Sequence, residues 1–407
     1  MDILFLCNKS PWPPREGAPL AMNANIQALL RKGHRVKVLA LSTNKYPVSE
    51  KDIPQDYLEK TGIEFVYVDL SVRPWPAFKN LFSLESFHVA RFDAPAVHQR
   101  LSEILLEQNF DIVQIEILYM LPYLRTIRKY SNAPVVLRSH NVEHLLWKRI
   151  AATTSNPLRR SYLRYLARKL ERYELSSLND CDGLATISPK DAGFFREAGC
   201  TLPLTDIPFG VDPAGYPFGP PPKGPLSLFH IGSMNWMPNE EGIAWFLEKV
   251  WPEINRRWPE LPLYLAGREM PDWILELEKG TLHVPGEVPD AREFMAQHHV
   301  MVVPLRSGSG IRIKIIEAMA MGKAIISTSL GAEGINCTHG KNILIADTPD
   351  EMTEAVRRCM DEPGLVESLG KEARKLIETE HNLESVGTRL EDFYRTVAEN
   401  SVSLKHR

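Results

Sequence analysis

Residues 304–335 read PLRSGSGIRIKIIEAMAMGKAIISTSLGAEGI. A polar, glycine-broken loop ends an apolar strand and delivers Arg312, Lys314 and Glu317 onto the start of a helix. A second short strand and another glycine turn follow. Two cations, exposed backbone N–H groups and a carboxylate thus converge at the carboxyl ends of two strands. Open α/β sheets hold phosphorylated ligands there. The alternative is a basic loop on a solvent-facing sheet edge.

A second concentration follows an apolar run at Pro134–Leu137: Arg138, Ser139, His140, Asn141, then Glu143 and His144. On a helix the two histidines would share a face. A hydrolytic zinc helix carries its glutamate directly after the first histidine, and that position is Asn141, so no metal site is expected. A strand-end His140 that hydrogen-bonds a substrate oxygen is the simpler reading; a structural histidine tied to the backbone is the alternative. From Lys148 to Arg172 the chain holds eight basic residues, among them Arg160, Arg164 and Arg168, and one acidic residue, Glu171. Leucine and tyrosine interleave with them. Such a face suits a membrane surface, an anionic acceptor or the solvated side of a packed helix.

These groups need elements to position them. At 407 residues the chain exceeds one ordinary core, so two domains are expected. The hydrophobic share of 44% and charged share of 24% are globular, and a net charge of -3 argues against a nucleic-acid partner. Five scattered cysteines give no disulfide framework or metal spacing and point to a reducing compartment. The first residues, MDILFLCNKSPWPP, lack a basic signal-peptide start, and no apolar run reaches the roughly 18 residues that cross a bilayer. A cytoplasmic location is expected, with peripheral attachment to the inner face of the membrane as an extension of the basic-face reading.

The spacing predicts a strand at Ile3–Cys7, a turn through Gly17, a helix near Pro19–Arg31 and a strand at Arg35–Leu41. Gly17 either lets the backbone approach a ligand or only relieves the turn. Strands at Ile63–Leu70, Asp111–Ile115, Pro134–Leu137, Asp182–Ile187 and Thr205–Phe209, with a helix over Phe87–Glu107, complete a doubly wound sheet. Residues 209–225, FGVDPAGYPFGPPPKGP, are too rich in proline and glycine for a helix or central strand and read as a linker. A strand from Leu226 leads into Gly232, Ser233 and Asn235, and Asn239 can cap a helix from about Glu240 to Val250. Strands at Leu263–Ala266, Thr281–Val284 and Val300–Pro304 repeat the architecture. A ligand cleft between two such domains is expected.

Several segments together carry a family pattern: Arg138-Ser139-His140-Asn141-Val142-Glu143, Phe209-Gly210-Val211-Asp212, Gly232-Ser233-Met234-Asn235-Trp236, Val284-Pro285-Gly286-Glu287-Val288, and Arg312 through Ala320. They span nearly the whole chain, which resembles the retaining glycosyltransferases of family 4, of exopolysaccharide or cell-envelope type. The resemblance implies an α/β GT-B fold, two Rossmann-like domains facing each other across a deep cleft. It implies an acceptor-binding domain over 1–215, a nucleotide-sugar-binding domain over 216–385 and a helix over 386–407 that crosses back to the first. It implies a nucleotide-sugar donor as substrate, a glycan or lipid-linked acceptor, and no cofactor or metal.

By the same resemblance Glu317 holds the donor ribose, Arg312 and Lys314 stabilise the departing diphosphate, and His140 contacts the transferred sugar. Gly17 lies near the diphosphate, and Gly232, Ser233, Asn235, Val288, Ser309 and Gly310 complete the donor site. The family's first motif glutamate falls eight positions before Glu317, where this chain has Ser309. The first domain shows no obvious carboxylate pair at its strand exits. With no convincing pair of carboxylates to flank the scissile bond, the resemblance implies attack by the acceptor on the face from which the diphosphate leaves. A sugar-nucleotide epimerase of the same fold and a noncatalytic nucleotide-sugar binder are the competing readings.

Overall fold

The computed structural model describes residues 1–14, 17–71, 75, 80, 83, 85–154, 156–308 and 310–405. The chain divides into two compact units, one formed by Met1–Gly210 together with the residues from Leu383 on, the other by Val211–Asn382.

Unit 1 is built on seven parallel strands: β1 (Asp2–Cys7), β2 (Arg35–Thr43), β3 (Glu64–Val68), β4 (Ile112–Glu116), β5 (Val135–Ser139), β6 (Gly183–Thr186) and β7 (Leu204–Asp206), in the order β3-β2-β1-β4-β5-β6-β7. Central strands of such a sheet are covered on both faces, so they read as unbroken apolar runs rather than alternations. Ile3 to Cys7 are all buried, which is why the sequence marked them so clearly. The order reverses between β1 and β4, so the loops leaving these strands diverge and open a crevice at their carboxyl ends.

The helices of unit 1 include α1 (Gly17–Arg31), α2 (Phe87–Ala90), α3 (Pro95–Glu107), α4 (Glu143–Thr153) and α5 (Pro157–Ser176). The single helix expected over Phe87–Glu107 is two. Pro95 has no N–H to continue a helix from α2 and disfavours helical backbone before it, but it fits the first turn of α3. α4 begins at Glu143, so His140 lies in the strand exit and not on one helical face with His144. The side chain at the α4 N-cap, Val142, cannot accept a hydrogen bond; instead the Glu174 carboxylate of α5 accepts from the backbone N–H groups of Glu143 and His144, both at 3.0 Å.

Unit 2 has six parallel strands, β8 (Leu228–Ile231), β9 (Leu263–Ala266), β10 (Leu282–Gly286), β11 (Val300–Val303), β12 (Ala324–Ser327) and β13 (Leu344–Ile345), ordered β10-β9-β8-β11-β12-β13. Its reversal falls between β8 and β11. Two helices start at the exits of those strands, α6 (Met237–Lys249) and α7 (Ile313–Ala320). Asn239 does not cap α6: Trp236 holds that position, and Asn239 is the third helical residue and buried. Pro238 moves the start forward because it suits the first turn.

The last helix, α8 (Leu383–Lys405), returns to unit 1. Val386, Leu390, Phe393, Tyr394 and Val397 are buried, on the side that the 3.6-residue period assigns them. Glycines permit its close approach. A Cβ on Gly183 in β6 would stand 2.5 Å from Val397, and one on Gly387 would stand 3.0 Å from the Ala28 carbonyl of α1. Among the described residues no helix is long and apolar enough to cross a membrane.

Candidate functional site

In unit 2, the loops leaving β8 and β11 bring together residues far apart in sequence. Lys314, in the first turn of α7, donates to Asn239 Oδ1 at 2.8 Å and faces His230 Nε2 at 3.4 Å. His230 is fully buried, with Nδ1 2.8 Å from the Val302 carbonyl. A carbonyl only accepts, so Nδ1 carries the proton and Nε2 offers its lone pair to the ammonium. Burial, followed by the charge of Lys314, holds His230 neutral, well below the ordinary histidine range. Burial and the neighbouring Arg312 charge push Lys314 down to about 7. A Cβ on Gly232 would stand 2.9 Å from Lys314 Nζ and 2.8 Å from Asn239 Nδ2, so a side chain there would displace that ammonium or its amide partner.

Arg312 occupies the N-cap position of α7 and is 5% exposed. Its Nη1 donates to the Gly310 carbonyl at 2.6 Å, and the guanidinium lies 4.9 Å from the centre of the Trp236 ring. The loop folds over it by way of Gly308 and Gly310, at φ 104° and 82°. These left-handed conformations favour glycine, and a Cβ on Gly308 would crowd Trp236 at 3.0 Å. Ser309 lies outside the described residues. Glu317 is the fifth residue of α7, one turn in, and accepts from the Tyr216 hydroxyl at 3.0 Å. Burial raises its pKa above the ordinary carboxylate value, against the Tyr216 hydrogen bond and the Arg292 charge. Arg292 in turn lies over Tyr216, 4.4 Å from the ring centre.

The rest of the expected donor set is less concentrated. Asn235 donates to Glu269 at 2.7 Å and accepts from the Ser233 hydroxyl at 2.9 Å, which fixes the turn after β8. Val288 follows the edge strand β10 and lines a cavity of about 590 Å³ with Tyr264, Asp290 and His298. None of Lys314, Arg312 and Glu317 lines that cavity. Sequence reasoning missed His230, Tyr216 and Arg292. A histidine inside an otherwise apolar strand was the available signal for the first.

In unit 1, the exits of β4 and β5 bring Glu116, Arg138 and His140 together, all buried. Glu116 Oε2 lies 2.5 Å from His140 Nε2 and 3.4 Å from Arg138 Nη1. Burial drives the Glu116 carboxyl up, but the Arg138 charge and the His140 and Gln114 hydrogen bonds outweigh it, leaving Glu116 below its ordinary range. Burial also lowers His140, more than Glu116 raises it. The pair is therefore a carboxylate and a neutral imidazole. His144 turns to another carboxylate, with Nδ1 2.6 Å from Glu174. Among the described residues no cluster of three or more histidines, cysteines and carboxylates could hold a metal.

The expectation of no carboxylate pair at these exits needs correction. Glu116 and Glu143 are both there, 0% and 2% exposed. Glu143 accepts from the Tyr119 hydroxyl at 2.5 Å, and burial lifts it to about 7. The isolated glutamate ending an apolar strand, IVQIE, was a readable signal for Glu116. Gly17 is the exposed first residue of α1. On α5, Arg164 and Arg168 are exposed, whereas Arg160 is half-buried with Nε donating to the Thr154 carbonyl at 2.8 Å. Lys169 leaves the basic face: it is buried and bonds Asn80.

Known proteins resemble this chain over both of its units. Residues 23–214 match the model of Glycosyltransferase Family 4, and residues 225–362 match that of Glycosyl transferases group 1. An uncharacterized 44.6 kDa protein in the cps region of Klebsiella pneumoniae is 26% identical over 360 residues, 85% of this chain and 87% of that one. Sucrose-phosphate synthase from Thermosynechococcus elongatus superposes with a TM-score of 0.70 at 14% identity, covering 98% of this chain and 99% of that one. Anabaena HepE, solved with UDP and glucose, gives 0.64 at 15% identity over 97% of this chain and 100% of that one. The fold is GT-B, with two Rossmann-like halves.

Proposed function

We propose that this chain, whose two halves match the family 4 and group 1 glycosyltransferase models, transfers a sugar, with retention of anomeric configuration, from a nucleoside-diphosphate donor to a glycan or lipid-linked acceptor. Unit 2 takes the donor and unit 1 the acceptor. The observation that carries this reading is the Arg312–Lys314 pair, with Glu317 one turn on, at the β8/β11 reversal. HepE, of the same fold, was solved with UDP-glucose, which supports a nucleotide-sugar donor. The relative from a cps region supports a product in polysaccharide assembly.

In the step proposed, the bond from the anomeric carbon to the diphosphate oxygen breaks and its electron pair stays on the diphosphate. Arg312, Lys314 and the N–H groups opening α7 stabilise that charge. The acceptor oxygen bonds the anomeric carbon from the same face, and its proton passes to a diphosphate oxygen. His140 hydrogen-bonds the transferred sugar, and Glu317 the donor ribose. The residues need no metal for this, and no cofactor.

Arg312→Ala and Lys314→Ala should each lower turnover about tenfold to a thousandfold at saturating donor, if each cation supplies roughly 1.4–4 kcal/mol in the transition state. Product analysis by mass spectrometry, with a panel of nucleotide sugars and candidate acceptors, checks this. Near-native turnover in both variants sinks the diphosphate role. A new sugar nucleotide formed from donor alone would favour the epimerase, and donor binding without transfer the noncatalytic binder.

A further inference from the structure

β4 is apolar at Ile112, Val113 and Ile115, yet Gln114 and Glu116 are polar, fully buried and, two residues apart, on one face of the sheet. Nothing in the folding of a parallel sheet asks for a buried amide and a buried charge there; apolar side chains of similar size would cost less. The same face carries Tyr394 of α8, 0% exposed, whose hydroxyl bonds Gln114 Oε1 across 280 residues of sequence. Gln114 Nε2 lies 2.6 Å from Glu116 Oε1, and Glu116 Oε2 lies 2.5 Å from His140 Nε2.

The shortest contacts assign each proton in this row. A carboxylate only accepts, so the Gln114 amide turns its NH₂ to Glu116 and its carbonyl oxygen to Tyr394, which must donate. By the same argument His140 holds its proton on Nε2, donating to Glu116 at 2.5 Å; Arg138 Nη1 also faces Nε2, but at 3.4 Å it is too distant to claim that nitrogen as its acceptor. That leaves Nδ1 as the acceptor of the imidazole, and among the described residues no hydrogen bond occupies it.

We propose that the C-terminal helix sets the tautomer and orientation of His140 through Tyr394, Gln114 and Glu116, which are positioning residues for the sugar-transfer step. His140 then meets a sugar hydroxyl with Nδ1 as acceptor, and α8 is part of the acceptor half's working machinery rather than only its cover. The catalytic consequence rests on the transferase reading above; the imidazole's state does not.

The test reads that state directly. In protein labelled with ¹⁵N-histidine, the His140 resonances are identified by their loss in His140→Gln. The wild type should show a protonated Nε2 and a bare Nδ1. Tyr394→Phe, which removes one hydroxyl and keeps the ring, should shift this towards a mixture of tautomers, and Glu116→Gln should shift it further. Gln114→Met gives a second break in the row should Tyr394→Phe fold poorly. Turnover should fall about threefold to tenfold in Tyr394→Phe, a hydrogen bond's worth, with donor KM unchanged. A wild-type imidazole signature retained in Tyr394→Phe and Gln114→Met overturns the role of the helix; one retained in Glu116→Gln overturns the row itself. Altered tautomers in a chain that transfers no sugar would uphold the row and count against the transferase reading alone.

Discussion

Lys314 shows how one residue can be both buried and ready for an anion. Its ammonium has a neutral imidazole and an amide oxygen as partners, and among the described residues no carboxylate bonds it. Burial and Arg312 bring its pKa to about 7, so its charge is lost as pH rises through neutrality. A bound diphosphate reverses the balance, because an adjacent anion favours the charged form. Binding of UDP near pH 8 should therefore take up a proton. Calorimetry in two buffers of different ionisation enthalpy measures this, and Lys314→Ala should abolish the difference; equal enthalpies in the two buffers for the native protein would refute it. Arg312→Ala should reduce the uptake, since removing that charge raises the Lys314 pKa in the empty site. Glu317 works in the opposite sense, its acidity weakened by burial and partly restored by Tyr216 and Arg292. Glu317→Gln should weaken UDP binding. Tyr216→Phe should weaken it about twofold to tenfold, one hydrogen bond of roughly 0.5–1.5 kcal/mol.

At the scale of elements, α4 and α5 depend on each other through a single carboxylate. Glu174 closes the N-terminus of α4 and binds His144, so Glu174→Ala leaves two backbone donors and an imidazole without their partner. At about 1–3 kcal/mol for a buried unsatisfied group, unit 1 should lose several degrees in its melting transition, with the unfolding of unit 2 unchanged. α5 presents Arg164, Arg168 and Arg172, all exposed, at four-residue spacing, and its first turn exposes Leu158 at 83%. We infer an anionic surface as its partner, the diphosphate of a lipid-linked acceptor or the headgroups around it. Reversing those three charges should abolish sedimentation with anionic vesicles; a native protein that ignores such vesicles has an ordinary solvated helix there. These elements show what a sequence discloses. Strands buried on both faces announce themselves as apolar runs, and Arg312, Lys314 and Glu317 stand out against IRIKIIEAMA because charges interrupt an apolar helix. Helix starts drifted where proline chose the first turn, as at Pro95 and Pro238. The partners of the site residues were hidden because contacts such as Glu174 with Glu143, or Tyr216 with Glu317, join positions 31 and 101 residues apart. Spacing along a helix or strand carries no information on those.

For the whole molecule, the decisive fact is that unit 1 is discontinuous while unit 2 is not. The chain passes into unit 2 at Val211 and out at Asn382, and these two residues pair, with Val211 N–H donating to the His381 carbonyl at 2.7 Å. Unit 2 is therefore clipped at its base and has its own apolar core. Unit 1 needs its last helix. Val386, Leu390, Phe393, Tyr394 and Val397 are buried, and withdrawing five such side chains at roughly 1.5–3 kcal/mol each removes about 8–15 kcal/mol of favourable burial. That equals the whole stability of an ordinary domain, about 5–15 kcal/mol. A chain ending at Asn382 should lose the cooperative transition of unit 1 and keep that of unit 2. Val211–Asn382 alone should fold, and UDP should raise its melting temperature, because the proposed diphosphate and ribose contacts all lie within it. Calorimetric scans of the three chains with and without UDP decide both points. Two intact transitions in the shortened chain would show that unit 1 stands without α8. A folded Val211–Asn382 indifferent to UDP, beside a full chain that responds, would show that donor binding needs residues of unit 1 as well.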